Sequence, residues 1–202
     1  MADHYYTRHP SSESQPQTFR TELKGETFAF KTDSGVFSKA DIDFGSRLLI
    51  DSLVQPSIDG PILDMGCGYG PIGISLARFW EGRSVSMVDV NERAVGLTKE
   101  NAEKNKVRVD VFQSNLYENV SGKYALIVTN PPIRAGKKVI FQLFEASKSY
   151  LLEGGELWIV IQKKQGAPST LAKLETLFGQ VEVVTKKKGY FIIKATFVDE
   201  RN

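Results

Sequence analysis

Apolar and polar residues alternate twice near the start of the chain, at Phe19-Arg20-Thr21-Glu22-Leu23 and Thr27-Phe28-Ala29-Phe30-Lys31. A period of two marks half-buried strands, and Lys24-Gly25 between the runs supplies a tight turn, so the pattern predicts a β-hairpin. A second turn is expected at Asp33-Ser34-Gly35. Over 43–53 the period lengthens, and Phe44, Leu48, Leu49 and Leu53 share one helical face. Strands and helices then alternate. Short apolar runs predict strands at 61–64, 84–90, 107–113, 124–129 and 156–161, and helical spacing covers 72–79, 94–105, 139–152 and 169–178. Gly154-Gly155 and Gly179 are expected to close the last two helices. Two final strands, 181–185 and 190–198, flank Lys186-Lys187-Lys188-Gly189.

Alternation of this kind predicts an α/β fold with a doubly wound, mostly parallel sheet covered on both faces. Counting the closing antiparallel hairpin, that sheet has seven strands, and the early hairpin is an N-terminal extension. Residues 1–18 form a polar N-terminal segment and 19–202 a single domain. A chain of 202 residues, 41% hydrophobic and 25% charged, can bury one substantial core. The net charge of +2 is too small to name a partner. One cysteine, Cys67, excludes an internal disulfide, and with both histidines (His4 and His9) in the N-terminal segment no metal site is expected. The chain opens without a signal-peptide pattern and no apolar run approaches the length of a membrane span, so a cytoplasmic protein is expected. The sequence leaves the oligomeric state open.

Candidate chemistry concentrates at two strand ends. Ile62-Leu63-Asp64 runs into Gly66-Cys67-Gly68-Tyr69-Gly70. Glycines at such a turn permit positive φ and let a ligand lie against the backbone. Open α/β sheets bind ligands beyond the carboxyl ends of their strands. The next strand ends at Asp89, where a carboxylate can accept both hydrogen bonds of a ribose diol. Asp64 would reach the cofactor's amino group or brace the loop. Gly68-Tyr69-Gly70-Pro71-Ile72-Gly73 also fits the dinucleotide pattern G-x-G-x-x-G. Two features favour S-adenosylmethionine instead. Asp64 precedes the loop where dinucleotide folds keep apolar residues, and Pro71 removes a backbone N–H where a pyrophosphate needs one. Cys67 reads as a small side chain inside the turn, because no histidine lies near it in sequence to activate a thiolate.

The second site is Asn130-Pro131-Pro132, directly after the apolar run 124–129. Methyl transfer to an amino nitrogen needs its lone pair aimed at the methyl donor. The side-chain carbonyl of Asn130 and the backbone carbonyl of Pro131 can accept the two N–H groups of an –NH2, orienting it and stabilising its developing charge. The prolines hold the acceptors in place.

The segments Asp64-Met65-Gly66-Cys67-Gly68-Tyr69-Gly70, Asp89-Val90-Asn91-Glu92-Arg93-Ala94 and Asn130-Pro131-Pro132-Ile133-Arg134-Ala135-Gly136-Lys137 resemble class I S-adenosylmethionine-dependent methyltransferases, with their Rossmann-like fold. The nearest likeness is to the small-domain family of guanine-N2 methyltransferases acting on 16S rRNA, and it extends from Gly35 to the closing hairpin. The resemblance implies cofactor contacts from Phe37 with Ser38, Asp64, Gly66, Cys67, Gly68, Asp89, Val90, Asn91, Asn115, Leu116 and Asn130. Ser114-Asn115-Leu116 would meet the adenine. Many class I enzymes carry Asp where this chain has Asn115, and many Asn-Pro-Pro enzymes carry an aromatic where it has Ile133. Larger relatives carry a second, non-catalytic domain that helps bind RNA, and a length of 202 residues leads to the expectation that it is missing here. Three basic groups fall at predicted strand ends: Arg134, Lys137 and Lys138; Lys163 and Lys164; and Lys186, Lys187 and Lys188. With Ile133 they form the expected RNA-binding rim. The expected acceptor is guanine N2 of ribosomal RNA. Adenine, a protein glutamine, or a non-catalytic S-adenosylmethionine- or RNA-binding role are the alternatives.

Overall fold

The computed structural model describes residues 8–9, 13–36 and 41–199; His4, Phe37 and Ser38 lie outside them. The first hairpin pairs β1 (Gln17–Leu23) with β2 (Glu26–Thr32), and the turn residues Lys24 and Gly25 take φ of 48° and 82°. Its outer edge is closed by two side-chain amides rather than by another strand. Asn101 and Asn105, one turn apart on α3 (Glu92–Lys104) and just beyond it, each exchange a pair of hydrogen bonds with the backbone, at Lys31 and Ala29 respectively. Residues four apart on a helix share a face, and residues two apart on a strand share an edge, so the two spacings match. The pairing covers an edge that would otherwise present unpaired N–H and C=O groups.

After α1 (Phe44–Ser52) the chain builds the main sheet. Its elements are β3 (Ile62–Met65), α2 (Pro71–Phe79), β4 (Val85–Asp89), α3, β5 (Asp110–Gln113), β6 (Tyr124–Thr129), α4 (Lys137–Tyr150), β7 (Leu151–Gln162), α5 (Ala167–Leu177), β8 (Gln180–Lys187) and β9 (Tyr190–Thr196). The seven strands lie in the order β5-β4-β3-β6-β7-β9-β8, and β9 alone among them runs against the direction of the other six. This is the expected Rossmann-like methyltransferase architecture. The central strands β3 and β6 are buried at every position, which explains their continuous apolar runs. One apolar layer joins the hairpin and helices α1, α2 and α3 to one face, and another joins α4 and α5 to the other. Strand order reverses between β3 and β6, so a crevice opens beyond their carboxyl ends.

Several boundaries differ from the sequence reading, three of them for a clear physical reason. The helix expected over 139–152 stops at Tyr150, and β7 begins at Leu151. Gly154 and Gly155 therefore do not cap a helix. They shape a bulge in β7, where the register jumps from Tyr124↔Leu151 to Leu126↔Glu156. A Cβ on Gly155 would lie 2.8 Å from the Leu152 carbonyl oxygen, so glycine is required there. β5 is shorter than 107–113, because Lys106 (φ 56°) and Val107 belong to the exit turn of α3. The closing turn is Lys188-Gly189 alone, since Lys186 and Lys187 are strand residues of β8.

Candidate active site

β3 ends at Met65, and the backbone N–H groups of Gly66 and Cys67 both donate to the Val88 carbonyl at 2.9 Å. This clamps the glycine turn to β4. Gly66, Gly68 and Gly70 have φ of 74°, 60° and 100°. A Cβ built on Gly66 or Gly68 meets nothing within 4 Å, so their bare backbone faces open space where a ligand can lie close. Gly70 and Gly73 differ. A Cβ there would fall 2.7 Å from Ile74 and 2.6 Å from Met87, so these two glycines serve packing. α3 braces the turn from behind: Thr98 Oγ1 donates to Gly68 O and Asn101 Nδ2 to Tyr69 O, each at 2.8 Å. Pro71 is the first residue of α2, where a missing N–H costs nothing.

Two carboxylates flank the turn in different states. Asp89 accepts from Gly68 N at 2.9 Å and from Asn91 N at 2.8 Å, and it lines the cavity. Loss of surrounding water pushes its pKa up to about 6, against the opposing pull of the backbone N–H groups. Asp64 is fully buried behind the turn. Its Oδ2 accepts from Gly73 N at 2.8 Å, and its Oδ1 has no hydrogen-bond partner among the described residues. Burial raises its pKa to about 7, offset in part by Gly73 N–H and reinforced by nearby Asp89. Asp64 does not line the cavity; it braces the start of α2. Cys67 is buried, and burial, then Asp89 and Asp64, push its thiol well above the ordinary value, so it stays protonated.

Asn130 follows β6 and is half-buried. Its Nδ2 donates to Ser46 Oγ at 3.0 Å and lies 3.4 Å from Asp43 Oδ1. A carboxylate only accepts, so Asp43 selects the NH2 side of the amide and leaves the Asn130 carbonyl oxygen as the acceptor for a ligand. Asp43 is also the N-cap of α1, accepting from Ser46 N at 3.0 Å. The helix cap and the amide anchor are thus one group. Pro131 and Pro132 are buried, and Ile133 begins a single 3-10 turn to Ala135.

The crevice that joins these parts spans about 1100 Å³, a volume that includes open solvent at its mouth. Of the sequence-predicted residues, Gly66, Cys67, Gly68, Asp89, Val90, Asn91, Leu116, Asn130, Pro131, Pro132 and Ile133 line it. Asn91 contributes chiefly as the N-cap of α3, accepting from Arg93 N and Ala94 N while its Nδ2 donates to Gly35 O at 3.0 Å. Ser114 and Leu116 line the wall, and Leu116 holds a left-handed φ of 50°, a strained conformation for a leucine. Asn115 points elsewhere, donating to Glu118 Oε1 at 3.0 Å. Phe37 lies outside the described residues. Among the lining residues that the sequence reading did not single out are Asp43, Ser46, Gln165 and Tyr190. They come from α1 and from the segments around β7 and β9, far from either motif in sequence.

The sequence profile of the methyltransferase small domain family matches residues 27–194. The chain belongs to that family. Among the relatives of this family member, YbxB of Bacillus subtilis (strain 168), described as uncharacterized, is 58% identical over 198 residues, covering 96% of this chain and 98% of YbxB. Ribosomal RNA small subunit methyltransferase C of Erwinia tasmaniensis is 34% identical over 182 residues, covering 88% of this chain and 52% of the relative. The solved structure of the T. thermophilus 16S rRNA N2 methyltransferase (RsmC), in complex with AdoMet and guanosine, superposes with a TM-score of 0.81 at 26% identity, covering 93% of this chain and 52% of that one. The chain therefore spans about half the length of the ribosomal RNA methyltransferases it matches.

The basic groups of this family member are exposed, and no lysine lines the cavity among the described residues. The final lysine group does not act as one cluster. Lys188 Nζ stands 4.9 Å from the Phe44 ring centre on the α1 face, whereas Lys186 Nζ stands 4.6 Å from Phe191 on the α5 face. Lys188 lies past the end of β8 in the closing turn, with a left-handed φ of 48°, so its side chain leaves the alternation that would otherwise put it on the same face as Lys186.

Proposed function

We propose that this protein transfers a methyl group from S-adenosylmethionine to the exocyclic N2 amino group of a guanine in small-subunit ribosomal RNA. The observation that carries the reading is the anchored amide of Asn130, with its carbonyl oxygen available in the same cavity as the bare glycine turn and Asp89. The residues present suit the cofactor. Gly66 and Gly68 leave room against the backbone, Asp89 offers lone pairs to a ribose diol, and Ser114 with Leu116 offers a wall for the adenine. Asp64 supports the turn from below. When bound, S-adenosylmethionine supplies an activated methyl group on a sulfonium centre.

The protein's own part is orientation and electrostatics. Asn130 Oδ1 and the Pro131 carbonyl accept the two N–H groups of the amine and direct its lone pair into the cavity. As the nitrogen gains positive charge, those oxygens stabilise it without reorganising, because Ser46 and Asp43 already hold the amide. The surplus proton then passes to water. Reaching this depth requires an unstacked or single-stranded base. The exposed lysines beyond β6, β7 and β8 supply positive charge for the flanking phosphates. Likeness to the ribosomal RNA methyltransferases over 88% of the chain supports the RNA acceptor.

The test is methyl transfer from radiolabelled S-adenosylmethionine to total RNA and to total protein from a strain lacking the gene. N2-methylguanosine in the RNA digest is expected. Label confined to protein would refute the RNA acceptor and favour a glutamine side chain.

A further inference from the structure

We propose that Tyr190 is the aromatic platform on which the target base lies during transfer. This rests on reading the cavity as a site for a nucleobase. A base withdrawn from its stack loses contact over both faces of the ring, and an enzyme that holds it must replace those contacts with aromatic or apolar surface. At the Asn130 end of the cavity the residue after the two prolines is Ile133, which gives aliphatic surface but no ring. Tyr190 lines the same cavity and is half-buried, so part of its ring is available there.

Its position follows from topology. A parallel strand brings its last residue to the carboxyl rim; antiparallel β9 brings its first. Tyr190 is that first residue, paired with Gln162 at the end of β7. Lys163 N donates to Gly189 O at 2.8 Å, which ties the preceding turn to the end of β7. The ring is also fixed laterally. It packs on Phe44 with centroids 5.3 Å apart and planes at 52°. A Cβ on Gly45 would approach Tyr190 Cε1 to 2.8 Å, so the ring sits hard against the start of α1. Asp43 and Ser46, on the same turn, anchor Asn130. The amine acceptor and the ring are therefore both held against one helix end, Asn130 through Ser46 and Asp43 and the ring through Phe44 and Gly45. Lys188 stands beside Phe44, on which the Tyr190 ring packs, and so offers positive charge to a backbone phosphate of the same nucleotide.

A ring that merely fills space beside Phe44 would have no effect on RNA kinetics beyond its effect on stability. The experiment compares wild type, Tyr190→Leu, Tyr190→Phe and the double variant Tyr190→Leu/Ile133→Phe on RNA from the deletion strain. Steady-state methyl transfer, S-adenosylmethionine Kd and Tm are measured for each. Tyr190→Leu is expected to lose about 10- to 100-fold in kcat/KM for RNA, the range for one lost base stack, with cofactor Kd within about twofold of wild type. Tyr190→Phe is expected to restore most of the loss, and a ring at position 133 part of it. If Tyr190→Leu is too unstable to assay, Tyr190→Met refills the volume against Phe44 without a ring and carries the same comparison. Wild-type kcat/KM in the leucine or methionine variant overturns the platform. So does a parallel loss of cofactor affinity, or a phenylalanine variant as impaired as the leucine one. If the wild-type enzyme makes N2-methylguanosine while Tyr190→Leu is unimpaired, only the platform falls; if wild type labels protein and no RNA, the acceptor reading falls with it.

Discussion

Asn130→Ala isolates the chemical step from cofactor binding. The side chain contributes one carbonyl oxygen to the acceptor end of the cavity, and its NH2 is already committed to Ser46 Oγ at 3.0 Å and Asp43 at 3.4 Å. Removing a preorganised group that meets developing charge costs about 3–4 kcal/mol, or roughly 10²- to 10³-fold in kcat. The anchor should cost less. Ser46→Ala leaves Asn130 with only its longer contact to Asp43, and one net hydrogen bond is worth about 1 kcal/mol, or roughly fivefold. The cofactor Kd should stay within about twofold in both variants, because the glycine turn and Asp89 are untouched. Single-turnover transfer of labelled methyl to RNA, with saturating enzyme, reads the step directly. A rate for Asn130→Ala within about threefold of wild type would refute the mechanism. So would a Ser46→Ala defect larger than that of Asn130→Ala, since an anchor cannot matter more than the group it holds.

Other consequences follow from the carboxylates and the glycines. Asp89→Ala removes the ribose acceptor and the hydrogen bonds from Gly68 N in the turn and Asn91 N at the start of α3, and calorimetry should show cofactor Kd rising about 100-fold or more. Because the Asp89 pKa is raised to about 6 and ribose hydroxyls bind the ionised form, wild-type affinity should be steady at pH 7–8 and weaken as pH falls through about 6; Asp89→Asn should flatten that profile. Asp64 behaves in the opposite sense for stability. Its folded pKa of about 7 exceeds the unfolded value near 4, so the folded state binds the extra proton, and this contribution is complete below pH ~4 and lost as pH rises through about 7. Tm of wild type should therefore fall between pH 5 and 8 more than that of Asp64→Asn, whose neutral amide keeps an acceptor for Gly73 N–H. Gly73→Ala, which drives a methyl into Met87, should cost about 1–3 kcal/mol in a denaturant melt. Gly68→Ala, which meets no neighbour but must hold a left-handed φ of 60°, should cost about 1 kcal/mol and also weaken cofactor binding.

Most elements of the fold were legible because their patterns are local. β3 and β6 read as strands from unbroken apolar runs, and α1 from one apolar face. The glycine turn was legible because positive φ demands glycine at Gly66 and Gly68. Gly154-Gly155 misled for the same reason: a glycine pair signals unusual backbone, and whether it ends a helix or bulges a strand depends on a neighbour, here β6. The Lys186–Lys188 run looked like one charge cluster, yet Lys186 stays in β8 beside Phe191 while the left-handed turn at Lys188 carries that side chain across to Phe44.

Short-range chemistry determined the motif residues. Asp89 at a strand end, bare glycines beside it and an amide before two prolines are recognisable wherever their chain neighbours are known. Tertiary structure alone decided which of them touch and what supports them. Nothing along the chain announces that Asp64 turns away from the cavity to hold Gly73, that Asp43 caps a helix and orients Asn130 in one act, or that Tyr190 reaches the same rim. Those relations depend on strand order and on the reversed direction of β9, both set by packing among residues far apart in sequence. Local pattern carries a residue's preferences, whereas its partners depend on the three-dimensional path of the whole chain.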